Sequence, residues 1–599
     1  MRKVYDAIII GSGAAGYSAA DWLFKEGITN IAVVTENRLS GTSRNTGSDK
    51  QTYYKISMDG SSDDSPYRMA KDICSLGSCD GEKAYTQALN SAKCFLRLCD
   101  YGVRFPQDEF GGYPGYKTDH DNTTRATSVG PLTSKIMTQV LEKRVLEINK
   151  TPLLDNRQVI EIITDNNRVH GIAVLNKETN STEVIAAKNI IAATGAPACI
   201  YKNSVYPESQ HGMTGILLKA GVKLCNFTQW QYGLASTDFR WNVSGSFMQV
   251  IPRFVSVDKN GAENEFLSKH FPSVSETCNN VFLKGYQWPF SFDRIPYSSR
   301  IDVAVHEEIS NDKTVYLDFT KNPEGYDFDA LSSEAKEYLK ANGATAETPI
   351  ERLKLLNPKA IDVYSCQGIN LYTQKLKIAV CAQHNNGGID TDRNYKTSID
   401  GLYVIGEAAG SFGLARPGGT ALNDTQVGGL ICTRHIKSNS YSQISFNAIE
   451  NAEKRINEGL NGFEISNEIS YERIPEKMSE CASFLRDKNG CVSLLSEING
   501  ILSSYPLRHK SLSDYFRDFD MLLSAKALLE TILAEMPLTG SRGGSVFIDN
   551  DKIIKENKEY RNYLTVTDGS GIVFKKVKPI PVTDKPFESY LNTIQECEL

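Results

Sequence analysis

The chain has 599 residues, 40% hydrophobic and 23% charged, the balance of an ordinary globular protein long enough for two or three domains around large cores. Its formal net charge of -6 offers no broad basic field, which argues against a nucleic-acid partner. No stretch approaches the ~20 apolar residues of a membrane-spanning helix, so no transmembrane segment is expected.

The first residues, MRKVYDAIIIGSG, run from a short apolar stretch straight into glycines. That reads as a first strand and not as a signal peptide, and a cytoplasmic location is expected. The thirteen cysteines are scattered, as reduced thiols would be. Two pairs, Cys74/Cys79 and Cys94/Cys99, share a C-x4-C spacing. Metal sites place paired ligands closer and use more of them, so no metal site is predicted. Cys597 is left over in the tail.

Residues 6–10 form a predicted strand, followed at once by Gly11-Ser12-Gly13-Ala14-Ala15-Gly16 and a helix to about Lys25, with Gly27 placed to stop it. A second strand, 31–35, ends at Glu36. Strand, glycine turn, helix, strand and acid make the dinucleotide-binding fingerprint. The first glycine permits the tight turn, the second lets a pyrophosphate approach the backbone, and the third lets the helix pack on the sheet. Free N–H groups at the helix start then meet the phosphate, and Glu36 stands where a ribose partner belongs. The fingerprint alone does not separate FAD from NAD.

Residues 151–195 alternate as strands and turns and close on Ala193-Thr194-Gly195. From about 231 to 355 scattered prolines and aromatics signal an inserted α+β lobe. Strand character returns at 375–381, and GLYVIGEAAG, with Gly406 and Glu407, is another strand entering a glycine turn. Beyond about 441 the pattern is mostly helical. Tyr515, Phe519, Leu522, Leu529, Ile532 and Met536 share one face of a helix that Pro537 is expected to end. The domain reading is 1–230 and 356–440 for a nucleotide-binding domain in two parts, 231–355 for the lobe, and 441–599 for a helical domain and tail.

Three separated segments agree on one family. GSGAAG with Glu36, AATGA at 192–196, and Thr397-x3-GLYVIGEAAG-x5-ARPGGTAL together resemble the flavoprotein subunits of fumarate reductase and succinate dehydrogenase, a group that includes L-aspartate oxidase and the adenylylsulfate reductase flavoprotein. QHNNGGI at 383–389 and GSRGG at 540–544 match further pieces of that architecture. The resemblance spans nearly the whole chain, most weakly at about 235–350. It implies an α/β fold: a Rossmann-like FAD-binding domain, an inserted α+β capping domain and a C-terminal helical domain.

It also implies bound FAD, the AMP half against the first βαβ unit. Gly11, Gly13, Ala14, Ala15, Gly16, Glu36, Asn37, Ala193, Thr194 and Gly195 belong to that half, and Gly406 and Glu407 to the ribityl chain. Gly419, Thr420, Ala421 and Leu422 would open a helix aimed at the pyrimidine end. Negative charge on reduced flavin gathers near N1 and C2=O, which suits a helix N-terminus. Membrane-bound relatives bond flavin covalently through a histidine; the aligned position here is Gly41, so FAD is expected to be noncovalent, with Ser43, Asn45, Gly47 and Ser48 around it.

The substrate side departs from the pattern. Fumarate reductases of the family hold a dicarboxylate with two histidines and two arginines, one arginine donating the proton. Arg416 matches the carboxylate-gripping arginine. The histidine slots fall on Gln231 and Gln383, with His384 one place on as a candidate acid/base, and the proton-donor slot falls on Ser298, close to Arg294 and Arg300. Glutamine keeps hydrogen bonding but drops the charge, so a dianion such as fumarate is disfavoured. Trp230 and Tyr232 read as core aromatics; Tyr116, His120 and Arg125 lie in a polar run within reach of the site. The expected activity is hydride transfer between flavin N5 and a small organic molecule, with reduction of an activated C=C bond leading. Oxidation of an amine or hydroxy compound remains open, as does an electron-transfer role served by an external donor or an iron–sulfur protein.

Overall fold

The computed structural model describes residues 3–58, 64–118, 121–439 and 443–581; His120 and Cys597 lie outside them. Five parallel strands make the central sheet: β1 (Ala7–Ile10), β2 (Ile31–Val34), β3 (Leu153–Leu154), β4 (Ile190–Ala192) and a strand Leu402–Val404. Their spatial order is 402–404, β4, β1, β2, β3. β1 reads AIII and β2 IAVV, every residue buried, which is how a parallel strand covered on both faces reads. Helix α1 (Ala14–Lys25) crosses from β1 to β2 and packs on helix α2 (Thr420–Ser438). The approach is close because α2 offers a glycine there: a Cβ on Gly429 would stand 2.8 Å from Ala19 N.

The lobe carries its own six-stranded sheet, in the order 241–242, 230–236, 376–385, 314–318, 253–257, 263–264. Its two long central strands, Trp230–Ser236 and Leu376–Asn385, lie outside or at the edge of the 231–355 stretch that composition singles out. They carry the lobe back to the nucleotide domain, and their shared end delivers side chains to the cleft.

The C-terminal part is less purely helical than its pattern: strand 546–549 pairs with 485–487 inside it, and strand 563–567 joins it to segment 224–225. Its longest helix, α3 (Leu512–Thr539), buries Leu522, Leu529, Ile532 and Met536. Pro537 lies inside α3 and does not end it. A proline so near the terminus forfeits a single helical N–H, and the stop comes at Gly540, whose φ of 63° leaves the helical region. Just beyond, Arg542 forms a buried ion pair with Glu535 at 3.2 Å, and Glu535 also accepts from Thr228. That network locks the GSRGG turn to the strand that starts at Trp230. Among the described residues no helix is long and apolar enough to cross a membrane, and no group of three His, Cys, Asp or Glu side chains is arranged to hold a metal.

Candidate active site

One cleft of about 1010 Å³ runs along the carboxyl ends of the parallel strands and under the lobe. Ligands of open parallel sheets bind at that edge. Ile10 at the end of β1 and residues 11–15 beyond it, Thr35 and Glu36 after β2, Ala193, Thr194 and Gly195 after β4, and Ile405 and Glu407 after the 402–404 strand all line it.

At the β1–α1 turn the glycines are required by geometry. Gly11 has φ +111° and a Cβ there would stand 2.4 Å from Ala193 O; one on Gly16 would stand 2.0 Å from Gly11 O. Gly16 therefore brings helix and turn together and does not itself line the cleft. Gly13 begins α1 with no side-chain cap and no acid in the first turn, and the Ala14 N–H turns to Ser43 Oγ at 3.2 Å. The α1 amides thus open onto a cradle with no negative charge in the helix's first turn, where a pyrophosphate fits. Opposite, Thr194 Oγ1 is buried without a hydrogen-bond partner among the described residues. The cradle, the orphaned hydroxyl and the volume all suit an extended dinucleotide such as FAD.

Of the other expected cofactor residues, Ser43, Ser48, Gly419, Ala421 and Leu422 line the cleft. Asn37, Asn45, Gly47, Gly406 and Thr420 do not. Asn45 donates to Leu39 O and Gly41 O, holding the loop from outside. Gly47 packs against Trp241 and Pro131. Thr420 is buried behind the wall, where its hydroxyl donates to Pro417 O. Gly41 lines the cleft and has no side chain through which to bond a flavin. Sequence reasoning missed Gln210, whose amide bridges Thr42 and Thr194 O, and it missed Phe516, Arg517 and Asp520 on α3. Nothing local in the sequence marks these.

At the far end Gln231, Gln383, His384 and Arg416 converge. The lobe's central strands explain the first three. Gln231 pairs with His384 and Tyr232 with Ala382, so Gln383 is an extra residue opposite no partner. This bulge lets two successive side chains, Gln383 and His384, line one cleft, where a regular strand would send them to opposite faces. Gln383 Oε1 accepts from Asn242 Nδ2 at 2.7 Å and from Trp288 Nε1 at 2.9 Å. Its Nε2 makes one long contact, 3.4 Å to Leu234 O, and so keeps a donor for a ligand.

His384 is buried, with Arg416 Nε 3.4 Å from Nδ1 and Glu407 Oε1 3.8 Å from Nε2. Nε2 has no hydrogen-bond partner among the described residues. Burial, reinforced by the Arg416 charge, holds the imidazole well below its ordinary range, so it stands neutral near pH 7. Burial pushes the Glu407 carboxyl up to about 7, against hydrogen bonds from Tyr206 and the Asn385 amide and against the Arg416 charge.

Trp230 and Tyr232 are core residues, Tyr232 bonded to Tyr201. Arg125 is fully buried among Asp64, Asp72 and Asp121 and does not reach the cleft, whereas Tyr116 lines it. Ser298 is buried and donates to Gln287, and Arg300 pairs with Glu307; neither lines the cleft.

Comparison with known proteins agrees with this geometry. The FAD binding domain family matches residues 6–422. L-aspartate oxidase of Xylella fastidiosa is 24% identical over 74% of this chain and 77% of its own length. One chain of the CoM/CoB fumarate reductase of Methanothermobacter marburgensis is 22% identical over 83% of this chain and 84% of its own length. The solved FrdA chain of E. coli quinol fumarate reductase superposes with a TM-score of 0.71 at 16% identity, covering 98% of both chains. The resemblance drawn from the glycine motifs is borne out: the chain belongs to the FAD binding domain family and is an FAD-dependent oxidoreductase.

Proposed function

We propose that the enzyme transfers hydride between FAD and a small, singly charged organic substrate, reducing an activated C=C bond in a compound other than fumarate. The observation that carries this reading is the donor set at the lobe end of the cleft: Arg416 beside the amides of Gln231 and Gln383 and a neutral His384. Arg416 with these amide donors holds a monocarboxylate, and at Gln231 and Gln383 neutral amides stand where charged groups would be needed to counter a second carboxylate.

When bound, FAD supplies a hydride at N5. The α2 N-terminus, opening at Gly419 without a capping side chain or an acid in its first turn, would favour negative charge on a flavin held there. Arg416 grips the substrate carboxylate and draws charge toward it. The Gln383 amide, its oxygen tied to Asn242 and Trp288, orients the second polar group. The matching proton is held by Glu407, which lines the cleft and is poised near neutrality, while the neutral His384 beside it helps to position the substrate. Electrons come from a separate donor, for which an iron–sulfur protein is the class we favour because the related flavoproteins share this architecture.

The test is anaerobic stopped-flow spectroscopy of the chemically reduced enzyme against a panel of unsaturated acids. Rapid return of the oxidised-flavin bands with a monocarboxylic enoate, and slow return with fumarate, is the expected result. Bleaching of oxidised enzyme by an amine or hydroxy acid, with peroxide formed in air, would replace this reading by the oxidase one.

A further inference from the structure

The end of the cleft opposite Arg416 is built partly by a helix from the far C-terminal region. Phe516, Arg517 and Asp520 of α3 line it, facing Glu36, His211 and Val159. Arg517 pairs with Glu36 through Oε1, and Lys177 Nζ approaches that same oxygen at 2.9 Å. Glu36 is thereby clamped by two cations on one oxygen, which leaves Oε2 the freer acceptor.

Asp520 has a different situation. It is 4% exposed, and no cation contributes to its electrostatics. Its carboxylate faces the backbone amides of Gly215 and Ile216, Oδ1 accepting from Ile216 N at 2.7 Å, and so holds the short helix Thr214–Lys219 against α3. These neutral donors are its whole compensation among the described residues, yet the residue lines the cleft. Burial pushes this carboxyl up to about 7, against the hydrogen bonds from the Ile216 and Gly215 amides. The two amides do not use all of the carboxylate's lone pairs, and its place in the cleft wall lets a ligand take another.

We propose that α3 closes the adenosine compartment of the FAD site, with Asp520 accepting a hydrogen bond from the adenosine half and Arg517 presetting Glu36 for it. Cofactor loading and docking of the C-terminal helix are then linked: adenosine binds only where α3 is seated, and its binding holds α3 in place. The flavin ring, at the other end, takes no part in the coupling.

The decisive variant is Asp520→Asn in the full-length holoenzyme. Asparagine keeps an oxygen for the Ile216 amide and turns a donor toward the cofactor. FAD is expected to leave about tenfold faster, read as the rise of free-flavin fluorescence on dilution. A dissociation rate equal to that of the parent protein overturns the proposal. Should the variant not fold, unmodified flavin-free protein gives an independent answer. ADP is expected to slow hydrogen exchange across residues 512–524, and FMN, which lacks adenosine, is not. Equal effects of the two, or none from ADP, overturn it. Failure of the unmodified chain to bind FAD at all would instead be a failure of the cofactor assignment.

Discussion

Arg416 stands against the buried His384 ring and reaches Thr420 Oγ1 with Nη1 at 3.3 Å, which fixes its guanidinium at the mouth of α2. Arg416→Ala is expected to lower kcat/KM for a monocarboxylic substrate about 100-fold, the usual cost of removing one partner of a charged hydrogen bond. Bound flavin should stay stoichiometric, and an unchanged kcat/KM would remove Arg416 from the substrate contact. The position of Arg416 was legible in the sequence because it lies in a glycine-bounded motif whose local geometry needs no distant partner. Glu407 is different. The motif places it, but only the surrounding Tyr206, His384 and buried backbone decide its protonation, and these come from separate segments. Its folded pKa of about 7 exceeds its ordinary 4.5. Between those values the folded chain holds a proton that the unfolded chain has released. Glu407 therefore favours folding most at low pH, and the benefit is lost as pH rises toward 7. In flavin-free protein Glu407→Gln is expected to flatten the fall in stability from pH 5 to 7 by up to about 1.4 kcal/mol per pH unit. Denaturant midpoints across that range measure it; parallel profiles for the two proteins would show that Glu407 titrates normally.

Among elements, those whose chemistry is local were legible: the glycine turn after β1, the buried runs of β1 and β2, and the apolar face of α3. The bulge that aims Gln383 and His384 into one cleft was not. A bulge is a mismatch between two strands about 150 positions apart, and neither strand records it alone. Nor could the polar residues of α3 be read as cofactor neighbours, since a helix pattern reveals which face is buried and not what the other face meets. The α2 N-terminus offers a clean test at this scale. Gly419 has φ +92°, and a Cβ would meet Thr52 Cγ2 at 2.7 Å and Thr52 O at 3.1 Å. Gly419→Ala is expected to push the helix start off the flavin edge and roughly halve the flavin-to-protein ratio or worse after gel filtration. Full flavin content with unchanged absorbance would mean that this end of α2 does not touch the ring.

For the whole molecule, the proposed hydride transfer needs water kept from the cleft, and the lobe must seat on the nucleotide domain to exclude it. The seat is at Asp49, from the nucleotide domain, which accepts from Ser246 N of the lobe at 2.8 Å, while Asn357 Nδ2 donates to Asp49 O at 3.1 Å. Burial raises the Asp49 carboxyl above its ordinary range, against the hydrogen bond from the Ser246 amide. Gly245 permits it: φ is +59° and a Cβ would stand 2.2 Å from Asp49 Oδ2. No rotation of a fixed carboxylate so enclosed relieves that clash, so Gly245→Ala should lift the lobe from its seat. FAD is expected to stay bound, because the adenosine and phosphate ends of the cleft lie elsewhere. Turnover should fall at least about tenfold, and iodide should quench the bound flavin more efficiently than in the parent enzyme. Quenching and turnover that both match the parent would show that the lobe closes without the Asp49 seat, and that some other contact holds the two halves together during the reaction.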